Sequence, residues 1–156
     1  MSDDERTVQL EQFRGGYAAV VDALEGISEE ELDQRPAPEE WSPREVVHHL
    51  ADSEAMAYTR LRRVLADDDP LIQAYDEPGW ARRLHYERPI GASLAVLAAV
   101  RTASLELLER LTPEEWERTG THEESGVYGV RRWLRIYAKH SHDHADQIRR
   151  ARRGEI

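Results

Sequence analysis

The chain has 156 residues, a formal charge of -10 at neutral pH, 40% hydrophobic residues and no cysteine. That size suits one domain, expected over 1–156, and the missing cysteine excludes disulfides, thiolate ligands and a protein-borne thiol nucleophile. The negative charge opposes a phosphate backbone, so no nucleic-acid partner is expected, and the run Arg149, Arg150, Arg152 and Arg153 reads as a solvated helix end that complements the helix dipole. The opening MSDDERTVQL is acidic where a signal peptide is basic, and no stretch approaches the length of a membrane span. A soluble cytoplasmic protein with no membrane partner is the expectation.

From the N-terminus, Val8, Phe13, Tyr17, Val20, Val21 and Leu24 recur at three- and four-residue intervals, which predicts a helix over 6–25 with one buried face. Gly15 and Gly16 weaken its middle. Ser28 and Glu31 are spaced as a capping box for a short helical turn that Pro36 and Pro38 stop. Ser42, Pro43 and Glu45 form the clearest start signal in the chain and open a helix to about Leu65, ended by Asp67, Asp68, Asp69 and Pro70. The segment LIQAYDEPGWARRLHYER mixes aromatics with breakers and predicts a long loop containing a helical turn. Loops of that length in a compact domain usually cover something.

Leu94, Leu97, Val100, Ser104, Leu107, Leu108 and Leu111 restore a helical period over 92–111. Thr112, Pro113 and Glu115 start a short helix carrying Trp116. After a turn region around Ser125, Gly126 and Gly129, the last helix runs from about Arg131 to Arg152. Four long amphipathic segments without a strong strand pattern predict an all-α fold, an antiparallel four-helix bundle, with at most a small hairpin around Tyr128. Trp41, Trp116 and Trp133 take ordinary core roles in this arrangement.

Seven histidines remain to be placed. A helix turns about 100° per residue, so facing can be read from the sequence. On the last helix Trp133, Ile136, Tyr137, Ile148 and Ala151 define the apolar stripe. His140 and His144 lie within about 40° of its centre, and His142 points away into water. On the helix after Ser42 the stripe is Val46, Leu50, Ala57, Leu61 and Val64; His49 sits roughly 90° to one side and His48 about 160° away, which makes His48 the surface residue. Two imidazoles four residues apart can reach one ion. A third inward histidine on another helix strengthens the reading, because buried neutral imidazoles need partners and three around an ion share one.

The run WSPREVVHHLADSEAMAYTRL, the segment AYDEPGW and the ending KHSHDHADQI together resemble the DinB superfamily, most closely its YfiT-like branch. The resemblance covers nearly the whole chain in order. It implies a four-helix bundle holding a divalent metal on three histidines, which correspond to His49, His140 and His144. Two features depart from the pattern: Asp143 stands where family members near YfiT often carry a further histidine, and the N-terminal part is short. The resemblance also implies a homodimer, and either metal-dependent hydrolysis or transfer of a low-molecular-weight thiol such as bacillithiol, mycothiol or glutathione.

Three imidazoles leave a coordination position open, the arrangement of catalytic zinc. Zinc is the first expectation, with nickel or iron as alternatives. The favoured reaction is transfer of a small-molecule thiol to an electrophile through a metal-activated thiolate, the sulfur being imported because the chain has none to offer as thiol. The alternatives are hydrolysis of an amide or ester by metal-bound hydroxide, and a non-catalytic metal-binding stress or interaction protein. Asp52, Asp143 and Gln147 are candidates for supporting the ligands or the substrate. Asp76, Glu77 and Trp80 in the middle segment are candidates for covering the cavity mouth. Ser53 and Ser104 face inward without a triad partner, so serine hydrolysis is not expected.

Overall fold

The computed structural model describes residues 2–156. Its helices start where side chains can satisfy the free N–H groups. Ser2, Ser28, Ser42 and Thr112 each accept from the backbone N–H three residues on, while Glu5, Glu31, Glu45 and Glu115 reach back to the cap's own N–H. The Ser2 box starts the first helix a turn earlier than its apolar period suggests.

The elements in order are α1 (Asp3–Leu24), α2 (Glu29–Leu32), α3 (Pro43–Ala66), β1 (Leu71–Ile72), α4 (Glu77–Arg83), α5 (Gly91–Leu108), α6 (Pro113–Trp116), β2 (Thr119–His122), β3 (Gly126–Gly129) and α7 (Val130–Ala151). α1, α3, α5 and α7 form the four-helix bundle, with α7 packed on α1 and α3, and α5 packed on α3. The bundle carries in addition a small three-stranded sheet of order β1-β2-β3, which includes the hairpin expected around Tyr128. β2 and β3 form an antiparallel hairpin pairing Gly120 with Tyr128, and β1 joins parallel to β2 through Leu71 and Thr121. Strands of two to four residues carry too few alternations to show as a period. The hairpin turn ends in Gly126 at φ +73, a conformation glycine adopts without steric cost.

The core divides into two apolar clusters. One holds Phe13, Leu61, Ile72, Leu108, Tyr128, Trp133 and Leu134 near the sheet; the other holds Val20, Val46, Leu50, Leu97, Ala145 and Ile148 toward the far end. Between them lies a polar layer. Arg101 of α5, 4% exposed, is ion-paired with Glu54 of α3, 2% exposed. Its Nη2 also donates to Phe13 O on α1 at 2.6 Å. Gly16 makes room for this crossing, since a Cβ there would stand 2.5 Å from Arg101 Nη2. The glycine that weakens α1 locally therefore has a packing reason.

α5 corrects the expectation that no stretch approaches the length of a membrane span. It is 18 residues long with a mean hydropathy of 1.4, apolar and long enough by composition to match a membrane span. Its bundle face nevertheless carries Ser93, Arg101 and Ser104 alongside Leu97 and Leu108.

Candidate metal centre

The polar layer continues from Glu54 to three imidazoles. His49 comes from the second turn of α3, and His140 and His144 from successive turns of α7. One ligand atom from each lies within 4.8 Å of the others, and among the described residues this is the one such cluster of three or more His, Cys, Asp or Glu groups. The ring centroids are 5.7 Å apart for His49 and His140, 4.8 Å for His49 and His144, and 4.6 Å for His140 and His144. His49 is buried and the other two are half-buried, so the cluster sits at the edge of the core.

The chemistry of these donors fits a cation. Burial, followed by the proximity of His144 and His140, pushes the His49 pKa down to about 3. Burial and then His140 push that of His144 down to about 4. Both rings are neutral lone-pair donors at neutral pH. His144 Nδ1–H donates to Gln147 Oε1 at 2.7 Å, which fixes the tautomer and leaves Nε2 with its lone pair. His140 Nδ1 is buried without a hydrogen-bond partner and faces Glu54 Oε1 at 3.7 Å.

The three supporting candidates are placed differently. Gln147 bonds a ring of the cluster as described. Asp52 Oδ2 accepts from the Tyr86 hydroxyl at 2.6 Å, on the side of α3 where His48 lies, and Asp143 is exposed. The carboxylate nearest the cluster is Glu54, which the sequence reading did not single out. Its signal was present: a lone arginine inside the apolar run GASLAVLAAVRTASLELL requires a buried anion if that helix joins the core.

Two histidines depart from their expected facing. His48 is 0% exposed. Its Nδ1 accepts from Ser93 Oγ at 2.7 Å and its Nε2–H donates to Arg88 O at 2.9 Å. α5 and the chain after α4 cover the side of α3 that a lone helix would show to water. His142 is half-buried and its Nε2–H donates to Gln12 O on α1 at 2.8 Å. Trp41 also gains a contact beyond core filling, since its ring packs against His49 in a tilted arrangement with centroids 4.7 Å apart.

A cavity of about 300 Å³ reaches the cluster, with His140, Ser53, Arg60, Glu77, His122 and Tyr128 among its lining. A cavity of about 600 Å³ between Trp41, Arg44 and Arg82, and one of about 660 Å³ along α3 and α5, contain none of the three histidines. The middle segment borders the cavity through Glu77. Asp76 caps α4 by accepting from Gly79 N–H at 3.0 Å, and Trp80 packs at a tilt against Tyr75 with ring centroids 4.6 Å apart.

Fold and centre together define a class: a helical bundle whose facing helices carry a three-histidine site able to hold a metal ion. The chain belongs to the DinB superfamily, whose sequence model matches residues 12–148. A protein of Oceanobacillus iheyensis described as a candidate metal-dependent hydrolase is 38% identical over 122 residues, 78% of this chain and 71% of that protein. Another so described, from Halalkalibacterium halodurans, is 30% identical over 125 residues, 80% and 73% of the two chains. Among solved structures, YfiT from Bacillus subtilis, described as a candidate metal-dependent hydrolase with an unusual four-helix bundle topology, matches with a TM-score of 0.88 at 28% identity. The match covers 95% of this chain and 86% of that one.

Proposed function

We propose that this chain is a metal-dependent hydrolase of small esters or amides, with His49, His140 and His144 holding one divalent ion, zinc in the first instance. The observation that carries the reading is the convergence of three imidazoles within 4.8 Å with no fourth His, Cys, Asp or Glu in the set among the described residues, since catalytic sites keep a position that structural sites close. When bound, the ion supplies a Lewis acid that polarises a carbonyl and lowers the pKa of water. Gln147 orients His144, Glu54 faces His140, and the Trp41 ring packs against the buried His49. Glu77 is the carboxylate on the cavity wall. We assign to it the uptake of the proton that water releases on adding to a carbonyl.

Thiol transfer, the reaction first expected from the sequence, would use the same three imidazoles with an imported thiol. The descriptions of the relatives support hydrolysis more directly. The test is metal analysis of untagged protein followed by assays on ester and amide panels with and without added thiols. The expected result is one divalent ion per chain and turnover that needs no thiol. Turnover only with a thiol would reverse the order, and full occupancy without either activity would support a non-catalytic metal-binding role.

A further inference from the structure

The cavity beside His140 is lined by two guanidinia, and two of its donors, Arg60 Nε and the Tyr128 hydroxyl, are buried without a partner. Arg60 of α3 gives Nη2 to Gln73 O at 2.6 Å and Nη1 to the Tyr137 hydroxyl at 3.4 Å, while its Nε is buried with no partner. Arg132, on the first turn of α7, gives Nη1 to Val127 O at 2.8 Å and to Ser125 O at 3.3 Å. Among the described residues no carboxylate lies within 4.0 Å of either guanidinium, although acidic residues outnumber basic ones by 31 to 21.

Two uncharged groups add to the set. Tyr128 is 2% exposed and its hydroxyl has no partner in hydrogen-bonding geometry, with Tyr137 and Arg60 its polar neighbours. His122 Nδ1 accepts from Glu124 N–H at 3.3 Å, so the neutral ring carries its proton on Nε2. Buried donors such as Arg60 Nε and the Tyr128 hydroxyl are normally satisfied. Glu77, the carboxylate on the same wall, ion-pairs with neither guanidinium, and two such cations make an anionic acceptor the best match for the cavity.

We propose that this cavity binds the carboxylate of a small anionic substrate between Arg60 and Arg132, with the Tyr128 hydroxyl as a further donor, and so presents the neighbouring bond to the histidine cluster. As a substrate-orienting site it rests on the hydrolytic reading above. A monoanion fits better than a phosphate dianion, because Glu77 lines the same cavity and continues outward to Glu123 and Glu124, whose repulsion grows with ligand charge. The volume lies at the small end of ligand sites, roughly 300–1,000 Å³.

The test is equilibrium binding of hippurate (N-benzoylglycine), its methyl ester and phenyl phosphate to the zinc-loaded full chain, with wild type compared against Arg60→Gln, Arg132→Gln and the milder Tyr128→Phe. The expected result is that hippurate binds at least about tenfold more tightly than its ester and loses about tenfold or more in each arginine variant, while zinc content stays at the wild-type level. Tyr128→Phe is expected to cost about threefold. Equal binding of hippurate and its ester, no hippurate binding at millimolar concentration, or undiminished affinity in both arginine variants would overturn the proposal; the last result would assign the carboxylate to the ion alone. Arginine-dependent preference for phenyl phosphate would overturn the choice of carboxylate. Binding is read without turnover, so a protein that binds hippurate but hydrolyses nothing keeps this site and loses the proposed reaction, and the converse result does the opposite.

Discussion

His48 and His49 are neighbours on α3, and both are buried. His48 has both ring nitrogens engaged, one by Ser93 and one by the Arg88 carbonyl. His49 has other imidazoles and the Trp41 ring around it instead. Burial depresses the pKa of both, so neither burial nor titration separates a ligand from a clamp. The distinction lies in where the nitrogens are satisfied. A histidine that pins the chain after α4 onto the bundle finds its partners within the protein, whereas a histidine in a metal centre converges with others around a shared point.

The largest expected effect breaks this contrast directly. His49→Ala, His140→Ala and His144→Ala should each reduce zinc content of purified protein to background, while His48→Ala and His142→Ala keep it near wild type. His48→Ala should instead lower stability by about 1–3 kcal/mol, because it strands the Ser93 hydroxyl and the Arg88 carbonyl. Zinc lost equally from the His48 and His49 variants would erase the distinction.

The polar layer below offers the next largest effect. Arg101→Met leaves Glu54 as a buried, uncompensated anion and should cost about 3–5 kcal/mol in denaturant titration of the metal-free protein. Changing both partners, Glu54→Gln with Arg101→Met, should recover part of that loss, because no bare charge remains. A double variant as unstable as the single one would mean that the charge is not the source of the cost.

The main helices were legible because capping residues and the apolar period agree: Ser42, Pro43 and Glu45 mark the start of α3, and the His140–His144 spacing on α7 marks the pair. What escaped depends on neighbours. The facing of His48 was inferred from one helix in isolation, and α5 with the following loop overrode it. Asp52 is close to His49 in sequence, yet its oxygen belongs to Tyr86 across the fold. The hairpin expected around Tyr128 is present, but its four-residue strands are too short for alternation to show that it brings His122 to the cavity.

Acidification sharpens the comparison through linkage. The folded-state pKa values of His49 and His144, about 3 and about 4, lie below the ordinary histidine value of 6.5. Between those limits the unfolded metal-free chain binds more protons than the folded one. Stability from these rings is therefore fully present above pH 6.5 and falls as pH drops below it. Melting temperatures of metal-free protein between pH 7.5 and 5 should decline, and His49→Gln should flatten the decline. A slope unchanged in that variant would show that His49 is not held neutral by the fold.

The smallest expected effect concerns Gln147. Its Oε1 accepts from the proton-bearing Nδ1 of His144, so its contribution is orientation: without it the ring can flip or exchange tautomers, and part of the population then presents an N–H rather than a lone pair to the cluster. Gln147→Ala should weaken zinc binding by about tenfold, at the lower end for such supporting contacts, while leaving stoichiometry at saturating metal unchanged. Gln147→Glu keeps an acceptor at that position and adds charge, so it should hold or raise the affinity. If both variants bind zinc as wild type does, the hydrogen bond is a surface contact and His144 owes its orientation to the packing of α7 against α3.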